Sequence, residues 1–297
     1  MARALLIFNP VAARANLKIV DTVVKVFKRE GWSTEVEGTS RVGHAKDLAR
    51  AGVEGGVDLV AVYGGDGTTM QAVAGMIDHH VPVALIPGGT GNLLAGNLRL
   101  PRRPAAAARV AIRGRPRAID LGILPREDGL HYFAVGAGAG FDAVLMTETT
   151  GEAKRRWRMG AYVATGVGAV SRLKAVRHRI TIDGTPMDVE AAMVLVANCG
   201  EIVPPFLRLR KGIAPDDGVF DVIIVNATTV MQGAHALWRL ATGLAADNFR
   251  IRFARGQEVV VEPEELLPVQ YDGEAAGWTP FTARIVPHAI SVMVPRT

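Results

Sequence analysis

Cysteine is nearly absent from this chain, since Cys199 is the only one in 297 residues. A lone cysteine excludes an intrachain disulfide, a zinc-cysteine cluster and the disulfide framework of a small secreted domain. The first apolar run, Ala4 to Phe8, is too short for the hydrophobic region of a secretory signal. Both features favour a protein of the reducing cytoplasm.

A long apolar run that could cross a bilayer is also missing. The candidate stretch, Met159 to Ser171, has 13 residues and contains three glycines. A membrane-spanning helix needs about 20 mostly apolar residues. We therefore expect no spanning segment.

Aromatic residues make up only 6% of the chain, whereas the formal net charge is +5 and the pI about 9.6. No nucleic-acid-binding motif interleaves with the basic clusters, so nucleic acid is not an expected partner. The basic excess favours an anionic surface, and we rank membrane lipid first. Trp157, Met159, Tyr162 and Val163, beside three arginines, form either an interfacial patch or a core-packed helix. We expect peripheral association with the inner face of the membrane.

Hydrophobic residues (49%) and charged residues (21%) occur in the proportions of a folded protein. Apolar runs alternate with helix-like stretches up to about residue 118, which predicts an α/β domain with a parallel sheet over residues 1–118. Strand-like runs dominate afterwards, so residues 119–286 are predicted to form a second, β-rich domain.

The usual nucleotide motifs are absent: no loop ends in Gly-Lys-Ser or Gly-Lys-Thr, and no loop has the three-glycine dinucleotide spacing. Two other glycine-rich loops stand in their place, Gly64 to Thr68 and Pro87 to Asn92. Each follows a buried-strand pattern and precedes a helix-like stretch. Such loops open where parallel strands end, where backbone amides and helix N-termini bind phosphate. The pair predicts a nucleotide site.

Four motifs occur in a fixed order: Ile7 to Pro10, the pair of glycine loops, Ile213 to Asp221, and Tyr271 to Glu274. In this order the chain resembles the diacylglycerol kinase catalytic family, which includes bacterial lipid kinases and is similar to sphingosine kinases. The resemblance extends nearly end to end. It implies an α/β nucleotide domain, a sandwich-like β-rich domain, and a C-terminal segment, residues 287–297, that returns to the first domain.

The resemblance also implies an activity, the transfer of the γ-phosphate of ATP to a lipid hydroxyl with Mg²⁺ as the metal. Diacylglycerol is the leading acceptor and phosphatidic acid the product. Sphingoid bases, ceramide, monoacylglycerol and an undecaprenol-like alcohol remain alternatives. The lipid would be presented at a membrane surface, and the sequence allows a homodimer.

The nucleotide site implied by the resemblance draws on residues from all the early motifs. Thr68 and Thr90 could instead cap helices, and Asn92 could cap the helix that starts at Leu93. The segment Ala13 to Ala15 departs from the family, which often has a small hydroxyl residue and glycine there. The implied residues are Asn9, Pro10, Thr39, Gly64, Gly65, Asp66, Gly67, Thr68, Gly89, Thr90, Gly91 and Asn92.

Three carboxylates are candidates for the catalytic chemistry: Asp66, Asp272 and Glu274. Asp66 lies between two glycines and could hold a metal or orient the acceptor hydroxyl. Asp272-Gly273 is by itself a hairpin signal, but the resemblance places this element opposite the nucleotide loops and makes Glu274 a candidate proton acceptor. The sequence does not separate the three.

A second metal position is implied by the segment that contains Asp216, Asp217 and Asp221. The resemblance assigns a structural magnesium to it, with Asp217 and Val219 as the metal positions. The segment between Pro215 and Gly218 is shorter here than in the common pattern. A surface aspartate turn is the alternative.

Three other functions compete with the lipid kinase. NAD kinase shares the Gly-Gly-Asp-Gly-Thr loop, but the second loop favours the lipid kinase. A catalytically silent regulator would fit the departures from the family pattern, although Asp66 and Glu274 are both present. A membrane scaffold would leave both glycine loops unexplained.

Overall fold

The computed structural model describes residues 1–11, 16–77, 79–127, 129–140, 175–203, 207–210, 212–242 and 247–296. The chain divides into two compact units, Met1–Ile119 with His288–Thr297 and Asp120–Pro287. The segments around Ala13 to Ala15 and Trp157 to Val163, which carried sequence predictions, lie outside the described residues.

The first unit alternates strands with helices. Its elements are β1 (Arg3–Phe8), α1 (Leu17–Arg29), β2 (Ser33–Gly38), α2 (His44–Glu54), β3 (Leu59–Gly64), α3 (Asp66–Ala74), β4 (Val83–Pro87), α4 (Leu93–Asn97) and α5 (Pro104–Arg113).

The strands of this unit form a parallel sheet in the order β2-β1-β3-β4. The register pairs Phe8 with Gly38 and with Tyr63, and Gly64 with Pro87. The carboxyl ends of all four strands therefore lie along one edge of the sheet. The loops that follow them, with both glycine-rich segments, begin at that edge.

Helix α1 illustrates how the sequence pattern produces packing. The Asn16 side chain accepts a hydrogen bond from the Lys18 amide and caps the first turn. Val20, Val23 and Phe27 repeat at helical spacing and are all buried. These apolar side chains join β1, β3 and β4 in the core of the unit.

The second unit is built almost entirely from strands. Two strands, β5 (Arg115–Arg126) and β18 (Phe281–Val294), contain the points where the chain passes from one unit to the other. The remaining elements are β6 (Gly129–Phe133), β7 (Gly136–Gly140), β8 (Val176–Ile182), β9 (Thr185–Ala191), β10 (Met193–Ala197), β11 (Glu201–Val203), β12 (Leu207–Arg208), β13 (Phe220–Val225), α6 (Val230–Ala241), β14 (Ile251–Gly256), β15 (Glu258–Pro263), β16 (Pro268–Tyr271) and β17 (Glu274–Trp278).

These strands form a sandwich. One antiparallel sheet has the order β14-β13-β10-β7-β16-β17, and the opposing sheet contains β15 between β8 and β18. Val196 and Phe220 of the first sheet share a buried cluster with Ile180 and Val261 of the second. The predicted fold class, a parallel α/β domain and a β-rich sandwich, is confirmed.

Strand β7 and the start of helix α3 differ from the sequence predictions. Strand β7 has the sequence Gly-Ala-Gly-Ala-Gly, which has a weak strand propensity, yet it pairs on both sides, with β10 and β16. Helix α3 begins at Asp66, inside the segment Gly64 to Thr68 that the sequence assigned to a loop, because Gly65 adopts an extended conformation and serves as the N-cap. Asp66, Gly67 and Thr68 therefore lie in the first turn of a helix. In the described ranges, no helix is long and apolar enough to cross a membrane.

Candidate active site

The two glycine loops of the first unit pack directly on each other. The amides of Gly88 and Gly89 donate to the Gly64 carbonyl at 2.8 and 3.1 Å. A Cβ atom on Gly89 would lie 2.5 Å from the Gly65 Cα atom, closer than any side chain can approach. The glycines thus permit contact between the loops, in addition to the phosphate contact that the sequence suggested.

The ring of Tyr63 packs against the second loop at Gly88, a contact that was not predicted from the sequence. Its side chain is buried, and a Cβ atom on Gly88 would lie 2.7 Å from its ring. An aromatic residue at the end of a buried strand, next to the first glycine of a loop, is the signal that could have identified it.

Asp66 joins the two loops through its side chain. Its Oδ1 atom accepts a hydrogen bond from the Leu93 amide at 2.7 Å, and so caps helix α4 from a residue 27 positions away. A Cβ atom on Gly91 would lie 2.9 Å from Asp66 Oδ2. The carboxylate therefore occupies the N-terminus of α4.

Asn92 does not cap α4, in contrast to one expectation from the sequence. Its Oδ1 atom accepts from the Gly89 amide at 3.0 Å and its Nδ2 atom donates to the Gly89 carbonyl at 2.8 Å. Asn92 itself has a φ of 52°, which asparagine adopts more readily than most residues. The side chain closes the second loop, because the cap of α4 is already supplied by Asp66.

Burial raises the pKa of Asp66 from 3.8 to about 6, although hydrogen bonds from backbone amides, with Leu93 first among them, oppose the change. Asp66 thus titrates close to neutral pH. A carboxylate that is costly to ionise in the free protein is one whose charge a cation would stabilise.

Asn9 and Thr68, two residues assigned to the nucleotide site, lie in direct contact. Asn9 Nδ2 donates to Thr68 Oγ1 at 3.0 Å, and Asn9 Oδ1 accepts from the Val11 amide at 3.0 Å. Thr68 lies within α3, so its hydroxyl is not a helix cap. The Thr39 amide donates to the Phe8 carbonyl at 2.9 Å, which places Thr39 at the same edge. Pro10, Thr90 and Gly91 are exposed there.

The first turn of α3 offers hydrogen-bond donors to a ligand. The first helical bond of α3 runs from the Thr69 amide to the Gly65 carbonyl. Within the described ranges, the amides of Gly67 and Thr68 donate to no acceptor. Such amides at a helix N-terminus, next to a glycine turn, suit a phosphate group.

The Asp-Gly-Glu element of the second unit is a hairpin, as the Asp-Gly pair predicted. Asp272 and Gly273 form its turn with φ values of 46° and 85°, and Tyr271 pairs with Glu274. The Asp272 carboxylate accepts three backbone hydrogen bonds, from Ala134, Val135 and Gly136 at 2.7, 2.8 and 3.0 Å. Asp272 therefore anchors the hairpin to the turn between β6 and β7.

Glu274 has the opposite environment. It is exposed at the start of β17, and among the described residues its carboxylate has no hydrogen bond or ion pair. The geometry separates two carboxylates that the sequence left equivalent, because three amides hold Asp272 whereas Glu274 is exposed. The approach of this hairpin to the nucleotide loops stays a prediction.

Asp217 and Val219, the assigned metal positions, lie in a different kind of site. The Val219 amide contacts Asp217 Oδ1 at 3.4 Å, and Asp217 Oδ2 forms an ion pair with Arg255. No group of three or more acidic, histidine or cysteine side chains converges in the parts of the chain that the structure describes. The metal assignment stays a prediction, and the ion pair argues against it.

Arg255 also neutralises Asp221, its partner across strands β13 and β14. Its Nε atom lies 3.5 Å from Asp221 Oδ2. Burial raises the pKa of Asp221, and the Arg255 charge opposes that rise. The arginine thus supplies the positive charge that this acidic turn needs. The described residues here do not fit a magnesium site.

Comparison with known families identifies the chain. The model of the diacylglycerol kinase catalytic domain matches residues 3–124, and that of the YegS C-terminal NAD kinase beta sandwich-like domain matches residues 135–294. The chain belongs to the diacylglycerol kinase catalytic family. It is a lipid kinase.

Relatives match over nearly the whole chain. A diacylglycerol kinase of Bacillus subtilis is 27% identical over 300 residues, which cover 100% of this chain and 97% of the relative. A probable YegS-like lipid kinase of Chromohalobacter salexigens is 28% identical over 290 residues, 95% of this chain and 90% of the relative. A crystal structure of a diacylglycerol kinase from Bacillus anthracis has a TM-score of 0.77 at 21% identity and covers 98% of this chain and 96% of its own. That structural likeness concerns the fold.

Replacement of Asp66 by asparagine should change how stability depends on pH. The folded protein holds the Asp66 proton up to about pH 6, whereas the unfolded chain releases it near 3.8. Stability from this group is therefore complete below the lower value and is lost as the pH rises through the upper one. Relative to Asp66→Asn, the wild type should lose about 1–2 kcal/mol between pH 5 and pH 8.

Thermal unfolding of both proteins across that pH range measures this effect. The asparagine amide faces backbone donors, so the two proteins can differ by a constant offset, and only the pH-dependent part is diagnostic. Thr90→Ala, an exposed change in the neighbouring loop, serves as the control. A difference in melting temperature that does not vary with pH would contradict the raised pKa.

Because of Arg255, the stability of the second unit should not depend on magnesium. Because its guanidinium pairs with Asp217 and Asp221, added MgCl₂ or EDTA should leave the melting temperature of the wild type unchanged. Arg255→Ala leaves the two carboxylates unpaired and should lower the melting temperature, and Mg²⁺ should partly restore it. A melting temperature that falls in EDTA for the wild type would instead support the metal at Asp217.

Proposed function

We propose that this lipid kinase transfers the γ-phosphate of ATP to the hydroxyl of diacylglycerol and forms phosphatidic acid. The observation that carries the proposal is the junction of the two glycine loops, where the donor-rich first turn of α3 lies beside the Asp66 carboxylate. The relatives named diacylglycerol kinase support the choice of acceptor.

The loops bind and orient the phosphates of the nucleotide. The amides of Gly67 and Thr68 donate to phosphate oxygens, and Asn9, held by Thr68, fixes the adjoining turn. A magnesium ion bound with the nucleotide would neutralise phosphate charge, and Asp66 is the residue that fits it. Because the loops are locked to each other, little of the site has to be ordered when ATP binds.

Glu274 receives the proton of the acceptor hydroxyl. The hydroxyl oxygen bonds to the γ-phosphorus as the bond to the bridging oxygen breaks, so ADP leaves and the proton passes to the carboxylate. Asp272 takes no proton in this scheme. It positions the hairpin that carries Glu274, through its three backbone hydrogen bonds.

The acceptor is a lipid presented at a membrane surface, so the enzyme works as a peripheral protein. The direct test incubates purified protein with γ-labelled ATP, magnesium and a panel of lipids in detergent micelles, with NAD as a parallel acceptor. We expect labelled phosphatidic acid. Label in another lipid would identify a different substrate. Label in NADP would indicate an NAD kinase instead. ATP binding without any labelled product would favour a catalytically silent regulator.

Glu274→Gln should abolish turnover without unfolding the protein. Loss of a general base costs about 10²–10⁴-fold in kcat, whereas the side chain is exposed and its replacement leaves no buried group unpaired. The KM for ATP and the melting temperature should stay close to the wild-type values. Glu190→Gln, at an exposed glutamate of the same unit, is the matched control.

Asp272→Asn should behave differently, because three amides lose part of their acceptor. We expect a loss of about 1–3 kcal/mol of stability together with lower activity, measured by denaturant unfolding and by the lipid assay. Full stability with activity reduced as far as in Glu274→Gln would give Asp272 the catalytic role instead.

A further inference from the structure

A hydrogen bond between two aromatic side chains lies next to the Asp-Gly-Glu hairpin. The Tyr271 hydroxyl is 3.0 Å from His131 Nδ1, and the two residues are 140 positions apart in the chain. Their ring centroids are 5.5 Å apart, and the ring planes are tilted by 54°, so the rings also pack on each other. The pair is thus a tertiary contact that involves the residue just before Asp272.

This contact joins the two sheets of the sandwich. His131 belongs to β6, which pairs with β5 in the sheet that contains β18, whereas Tyr271 ends β16 in the other sheet. His131 lies two residues before the buried Phe133, and residues two apart share one face of a strand. Phe133 belongs to the sandwich core, and Tyr271 packs against that same core. The hydrogen bond therefore forms on the side where the two sheets face each other.

Glu274 lies directly opposite Tyr271 in the hairpin. The register pairs these two residues, and opposed residues of an antiparallel pair project from the same face with Cβ atoms about 4.5–5.5 Å apart. The Glu274 side chain therefore leaves its strand beside the Tyr271 ring. A rotation of β16 at Tyr271 would also turn the bond from Cα to Cβ of Glu274.

The hairpin is attached at two points to the segment that begins with β6. One is the Asp272 carboxylate, bound by the amides of Ala134 to Gly136. The other is Tyr271, bound to His131, which lies three residues earlier, or about 10 Å along an extended chain. A single attachment holds the turn in place but allows rotation about itself. The second attachment prevents that rotation.

We propose that His131 and Tyr271 are positioning residues, and that the hydrogen bond between them sets the direction in which Glu274 faces the acceptor hydroxyl. A reacting group has to be held within about 0.5 Å and 10–20° of its productive geometry. Asp272 supplies the position of the turn, and the bond between Tyr271 and His131 supplies its orientation. The inference rests on the proposed function, in which Glu274 receives the proton.

Tyr271→Phe tests the role of the hydroxyl, because it keeps the ring and removes the hydrogen bond. We expect kcat to fall about 10–100-fold, as misplaced reacting groups do. The KM for ATP should not change, since the glycine loops belong to the first unit. Tyr132→Phe is the matched control: Tyr132 follows His131 in β6, points to the opposite face, and should tolerate the same change with wild-type kcat.

Two substitutions of His131 separate orientation from packing. His131→Leu removes the hydrogen bond and should lower kcat as far as Tyr271→Phe does. His131→Asn places an amide close to the position of Nδ1 and should recover most of the lost kcat. The double variant of Tyr271→Phe and His131→Leu should be no slower than either single variant, because both remove the same bond.

All rates are measured well below the melting temperature of each variant, so that unfolding does not contribute. A Tyr271→Phe protein with a lower melting temperature but wild-type kcat would show that the pair serves the fold alone and would overturn the inference. Equal losses of kcat in His131→Asn and His131→Leu would overturn it too, because the hydrogen bond would then have no part in the effect.

The same changes in the Glu274→Gln background distinguish this inference from the proposed function. Tyr271→Phe should not lower the residual rate of Glu274→Gln further, because Tyr271 acts through Glu274. If Glu274→Gln abolishes turnover while Tyr271→Phe is as active as the wild type, the proposed reaction stands and the positioning role fails. If Glu274→Gln keeps wild-type turnover, the proposed proton acceptor itself is wrong. Whichever lipid of the panel is phosphorylated serves as the acceptor in these assays.

Discussion

The hydrogen bond from the Leu93 amide to the Asp66 carboxylate is the interaction on which the first site depends. It ties the first turn of α3 to the first turn of α4, and Gly89 can then approach Gly65 so closely that Gly89 tolerates no side chain. Ordering two glycine-rich loops costs much conformational entropy, and this hydrogen bond helps to offset that cost. The carboxylate thus holds the loops in place and also provides the negative charge of the site. The raised pKa of Asp66 is the cost of that placement.

The second unit uses a carboxylate in a related way. Asp272 accepts from three consecutive amides where β6 ends and β7 begins, 136 or more residues earlier in the chain. In both units a carboxylate inside a glycine motif binds backbone amides from a distant segment. The aspartates of these motifs therefore build the loops in which they occur. Chemical reactivity alone does not account for their presence.

The sequence predicted the strands, the glycine loops that follow them and the hairpin well, because buried strands and glycine turns are local patterns. The strands before Gly64 and Gly88 and the hairpin at Asp272 were all identified from neighbouring residues. What the sequence missed depends on distant pairs: Leu93 with Asp66, and Arg255 with Asp217, 38 residues apart. Strand β7 was missed for the same reason, since Gly-Ala-Gly-Ala-Gly becomes a strand only through its partners β10 and β16. No local propensity encodes such contacts.

Asp272 and Glu274 belong to the same hairpin turn but differ in how strongly their side chains are held. Three hydrogen bonds to the Asp272 carboxylate fix the turn. They also limit the movement of the backbone at Glu274, which is only two residues away. The Glu274 side chain itself is held by none of the described residues. A proton acceptor needs this combination, because its oxygen must be delivered to the substrate while its lone pairs stay available. An acceptor bound by three amides would have its lone pairs already engaged. In the proposed reaction, Asp272 thus supplies rigidity and Glu274 reactivity, on either side of Gly273.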